Sequence, residues 1–75
     1  MKTEVIIICT ERSSELALEL GLVYAMMQTP THLIGSVNAA DSPHLNFFKE
    51  LGGQLHDTGL SVLLALYPTA QVIRL

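Results

Sequence analysis

Strand-like and helix-like segments alternate along these 75 residues, which predicts a small α/β domain. The expected architecture is a mostly parallel three-stranded sheet with two or three helices, ordered β-α-β-α-(α or β)-β, with right-handed crossovers. Three observations carry it. Val5-Ile6-Ile7-Ile8 is a continuous β-branched run; a leucine-rich segment follows it after a polar corner; and Ser42-Pro43 through Gly52-Gly53 brackets a second helical segment. Residues 1–75 read as a single domain, since the chain is too short for two cores.

Val5 to Ile8 shows no apolar–polar alternation, the pattern of a strand covered on both faces. The corner Thr10 to Ser14 carries no apolar residue. Ser13 suits an N-cap, and Glu15 sits favourably in the first turn, near the positive end of the helix dipole. The helix should run to about Gln28, because Thr29-Pro30 disfavours its continuation. Leu16, Leu20, Val23 and Met27 form one apolar stripe on it, and Leu18, Leu22, Ala25 and Met26 form another. One stripe can face the sheet, and the other needs a different cover. Gly21, mid-helix, implies either close approach of another backbone or a weak point.

Thr31 to Val37 reads as the second strand, softened at Gly35, and Asn38 to Asp41 as a loop. Ser42 then serves as N-cap with Pro43 in the first helical position, where its missing N–H costs nothing. Leu45, Phe48 and Leu51 share a face, and Gly52-Gly53 stops the helix. Two readings stay open for the next segment. Leu60, Leu63, Leu64 and Tyr67 have helical spacing, with Asp57 or Thr58 as N-cap. Alternatively Ser61 to Leu66 is a strand, Tyr67 to Ala70 a turn, and Gln71 to Leu75 its antiparallel partner. Leucine and alanine content tilts the choice toward helix; Gln71 to Leu75 is a strand in both.

Nearly half the residues are apolar (49%), only 15% are charged, and mean hydropathy is positive. A chain of this size buries roughly 60% of its unfolded surface, against roughly 70% for a mid-sized domain, so such an apolar content asks for a partner chain. No disulfide substitutes for one, because Cys9 is the sole cysteine. A spanning helix needs about 20 apolar residues in a row, and Leu16 to Met27 and Val62 to Tyr67 fall short of that. No signal-peptide pattern is evident, and the expected setting is cytoplasmic, with no membrane association. Four Lys and Arg within a net charge of -3 lack the basic footprint of a direct nucleic-acid binder.

In parallel sheets ligands sit beyond the carboxyl ends of the strands, here the loops Cys9 to Ser14 and Asn38 to Ser42. A cysteine after a buried strand, followed by hydroxyls at a helix start, can lower a thiol pKa and offer N–H groups to an anion. Cys9 is accordingly the candidate nucleophile, and Arg12, Ser13 and Ser14 the candidate anion-binding residues. The arrangement resembles the phosphocysteine loop of the IIB components of sugar phosphotransferase systems and, more remotely, that of low-molecular-weight tyrosine phosphatases. That resemblance implies a phosphocarrier or phosphatase-like use of Cys9. It departs from both families in lacking a loop glycine and in the acidic Glu11, and from the phosphatases in the short Cys9–Arg12 spacing. The competing reading makes Cys9 a small buried hydrophobe and the serines simple helix caps.

Asp57-Thr58-Gly59 matches the catalytic triplet of aspartic proteases, yet too few residues follow it to support paired carboxylates, and a turn or cap explains it better. His32, His44 and His56 are evenly spaced, at intervals too wide for a local ligand set, so they read as separate surface or strand-end histidines with no metal. No cofactor is implied. Tyr24 and Met26-Met27 serve either as core filler or as an adaptable partner groove. The functional expectation is a non-enzymatic interaction or regulatory module. It would form a homodimer, or bind another protein, through Leu18, Leu22, Ala25 and Met26; the alternative is chemistry at Cys9.

Overall fold

The computed structural model describes residues 3–35 and 43–75. Among them the chain runs β1 (Val5–Ile8), a 3-10 turn (Glu11–Ser13), α1 (Ser14–Met26), β2 (Thr31–Ile34), α2 (Pro43–Glu50), β3 (Gln54–His56), α3 (Leu60–Leu66) and β4 (Gln71–Arg74). The α/β class stands, but the described residues form a four-stranded sheet, ordered β3-β2-β1-β4 and parallel throughout. The extra strand, Gln54-Leu55-His56, has one apolar residue in three and so carries no strand signature. Because β4 runs parallel to β1, Leu60–Leu66 cannot be its hairpin partner; it is the helical crossover, which settles the choice left open for that segment. Its N-cap is Gly59 rather than Asp57 or Thr58.

Strand register sorts side chains onto two faces. Val5, Ile7, Leu33 and Ile73 point toward α1 and α2 and share one core cluster with Ala17, Leu18, Leu22, Ala25, Leu45 and Phe48. Ile6 and His32 pair across the other face, where Tyr67 at the end of α3 stacks on His32. A right-handed path from edge strand β3 to edge strand β4 requires α3 to cross there.

Small residues let α1 lie close to its neighbours. A Cβ on Gly21 would stand 3.0 Å from the Phe48 ring of α2, so the close approach is by an aromatic side chain and not by a backbone. Gly35 closes β2 with φ +125, and any side chain there would collide with the Cys9 carbonyl oxygen. β2 ends at Ile34, short of the expected Val37. Ser36, Val37, the loop Asn38 to Asp41 and the Ser42 N-cap lie outside the described residues. Both long helices end in the same motif. Gly53 N–H reaches Phe48 O and Gly52 N–H reaches Lys49 O after α2; Thr29 N–H reaches Tyr24 O and Gln28 N–H reaches Ala25 O after α1. Positive φ at Gly52 (+95) and Gln28 (+61) makes each turn possible.

Candidate functional site

With strand order β3-β2-β1-β4, the connections reverse direction between β1 and β4, which is where doubly wound sheets open a crevice at their carboxyl ends. Cys9 lies at that point, beyond Ile8, with its N–H donating to Ile34 O. Its side chain is buried, and burial pushes the thiol pKa up. Thiolate chemistry needs the opposite shift. The polar corner is likewise committed to its own turn. Ser13 N–H donates to Thr10 O, Ser13 Oγ accepts Thr10 N–H at 2.9 Å, and Ser14 Oγ donates to Glu11 O at 3.1 Å. Ser13 stands at the N-cap position of α1, but its hydroxyl makes no capping bond to that helix. Arg12 is exposed.

The two stripes of α1 exchange the roles expected from sequence. Leu18, Leu22 and Ala25 belong to the core of this chain; of the expected interface set only Met26 is at the surface, 64% exposed. The outward stripe is the other one, with Leu16 55% and Val23 53% exposed, Met27 exposed and Leu20 half-buried. The reason is size: Ala17, Gly21 and Ala25 lie at i, i+4, i+8 beside Leu18 and Leu22, and this small-residue side brings the helix axis nearest the sheet and α2. Tyr24 packs at the edge of the core. A shallow depression lined by Met26, Pro30 and Leu51, among others, continues from the outer end of α1 toward the end of α2.

A polar cluster on the opposite face is not foreshadowed by the sequence. His32 is buried, 1% exposed. Its Nε2–H donates to Glu4 Oε1 at 3.0 Å, and its Nδ1 lies 2.9 Å from His56 Nε2. The Tyr67 ring lies 4.7 Å from the His32 ring, centroid to centroid. Two of the three histidines are therefore joined rather than separate, and His44 stands exposed on α2. Because β3 pairs in register with β2, residues 24 apart in sequence become neighbours on one face. The His56 pKa is lowered, first by burial and then by the charge of His32, with Asp57 opposing. The ring nitrogens between the imidazoles face each other and do not converge on a common point, and among the described residues no group of three or more His, Cys, Asp or Glu is placed to hold a metal ion. Asp57, Thr58 and Gly59 are exposed in the β3–α3 loop.

Among the described residues no helix is long and apolar enough to cross a membrane. Comparison of the chain with family models, with curated proteins and with solved structures gave no match.

Proposed function

We propose that this chain is a small cytoplasmic interaction or regulatory module, without catalysis of its own, that forms a homodimer through the outward side of α1. One observation carries the reading: Leu16, Val23 and Met26 are each more than half exposed on a helix whose inner side is already packed. Exposed apolar residues are ordinary when scattered, but here they share one 13-residue helix in a chain with few charges. A second copy meets the same surface with the same surface, the isologous arrangement of two-fold dimers. A stable interface of that kind hides about 800 Å² per partner, which requires the depression beside Met26 and Leu51 as well as the helix itself.

Sedimentation velocity at concentrations from about 1 to about 100 μM tests it, the range in which a weak but specific dimer dissociates. Wild type is expected to sediment as a dimer at the upper end. The double substitution Leu16→Glu, Val23→Glu is expected to give a monomer with an unchanged far-ultraviolet circular dichroism spectrum. A wild-type monomer throughout the range overturns self-association.

A further inference from the structure

We propose that the chain of side chains Glu4–His32–His56 is a proton-sensitive clasp, which holds β3 and the end of α3 on the sheet while at most one of its two imidazoles is charged and releases them when both are. The proposal rests on counting hydrogens between the facing atoms. One hydrogen must lie between His32 Nε2 and Glu4 Oε1, and one between His32 Nδ1 and His56 Nε2. With both rings neutral, His32 carries its hydrogen on Nε2 and accepts that of His56 Nε2. One added proton keeps both bonds: it sits either on His56 Nδ1, leaving the network unchanged, or on His32 Nδ1, with His56 becoming the acceptor and carrying its own hydrogen on Nδ1. A second proton places N–H against N–H across 2.9 Å, and two like charges beside each other in a partly buried setting. That contact cannot persist.

What the clasp holds is lightly secured otherwise. β3 has three residues and, among the described residues, pairs only with β2 at the sheet edge. α3 has seven residues, of which only Leu63 is buried. The network ties the segment before β1, strand β2 and strand β3 together, and Tyr67 stacks on it from the end of α3. The ionisable groups facing the histidine pair are Glu4 ahead of β1, Asp57 after β3 and the Tyr67 phenol after α3; Arg74 of β4 shares this face but stands in register with Ile8, one pair beyond Ile6 and His32. α1 and α2 lie on the other face.

The sign of the pH effect follows from His56. Its folded-state pKa is lowered, so the unfolded chain takes up the proton first as pH falls through the ordinary imidazole value of 6.5. Stability is complete above that value and is lost on descending from it toward the lowered folded value.

Amide hydrogen exchange followed by NMR at about pH 7.5 and about pH 5 reads the clasp directly, as protection factors corrected for intrinsic rates. The β3 amides are expected to lose about tenfold or more in protection at the lower pH and to be less protected at both pH values than the Ile7 amide of β1, which exchanges only when the whole sheet opens. In His56→Gln, whose neutral side-chain N–H can still donate to His32, that loss is expected to vanish. Protection in β3 that stays constant with pH, β3 amides as well protected as Ile7, or an undiminished fall in His56→Gln each overturns the proposal. Imidazole ¹⁵N shifts of the wild type give an arm that needs no variant. Protonation of His56 is expected to displace the His32 ring resonances as well, and a His32 spectrum indifferent to it overturns the clasp.

Discussion

On one face of the sheet Val5, Ile7 and Leu33 meet the small-residue side of α1 and the Phe48 ring of α2, in a cluster with no carboxylate, imidazole or basic side chain and with the buried Cys9 thiol held neutral by its raised pKa. On the other face Ile6 and Leu63 are equally buried, yet the space beside them is filled by His32 bonded to Glu4 and His56. A parallel sheet has to be covered on both sides, and the described residues provide two helices for one side and a single seven-residue helix for the other. Where apolar cover is short, a hydrogen-bonded network completes the layer. Among the described residues it leaves no buried side-chain nitrogen or oxygen without a partner. The first face should therefore lose stability in proportion to volume removed and be indifferent to pH; the second should respond to charge.

The largest expected effect lies on the first face. Phe48 is fully buried, bears on Gly21 of α1, and stands against Gly53, where any added side chain would collide with its ring. Phe48→Ala should cost about 3–5 kcal/mol by urea denaturation, a large part of the total stability of so small a domain. The loss should be the same at about pH 7.5 and about pH 5, since no proton is involved. A pH-dependent loss would break the distinction between the faces.

A smaller effect is expected from Glu4→Gln on the second face. Glutamine retains an oxygen to accept the His32 Nε2–H but removes the charge assisting that bond. The difference between a charged and a neutral hydrogen bond is about 1 kcal/mol, to be read from urea midpoints near pH 7.5. Glu19→Gln on exposed α1 is the control and should stay within about 0.5 kcal/mol of wild type. Equal effects at the two positions would mean that the network contributes no more than a surface charge.

The contrast between the faces also marks how far the sequence could be read. β1, α1, α2 and β4 announce themselves by β-branched runs, caps and glycine stops, all local signals, whereas the helical spacing of α3 competes with a strand reading that only the sheet topology decides. The phase of α1 has no such signal, because apolar residues surround that helix and no polar side fixes its rotation; packing of Ala17, Gly21 and Ala25 against their neighbours decides it instead. β3 has no local signal either, and its absence from the sequence reading hides the His32–His56 contact, which exists only once β2 and β3 are in register. The corner after β1 was legible as a strand-to-helix turn. That Cys9 is sealed beneath it, and that the serine hydroxyls are used within it, depends on the close passage of Gly35 past the Cys9 carbonyl and on the 3-10 turn.

The smallest expected effect tests the backbone that frames the first face. Gly52 ends α2 at φ +95, and a Cβ added there meets nothing within 4 Å. Gly52→Ala should thus cost only the conformational penalty of a left-handed alanine, about 1 kcal/mol by urea denaturation and the same at both pH values. Gln28, in the equivalent place after α1, already carries that penalty at φ +61, so positive φ without glycine is sustainable in this fold. The neighbouring Gly53 differs: a Cβ there strikes Phe48, and Gly53→Ala should lose clearly more than Gly52→Ala because the ring must move out of the α1–α2 contact. If the two alanines cost the same, the Phe48 ring has room to spare, and the first face is less tightly packed than its dependence on Gly21 and Phe48 requires.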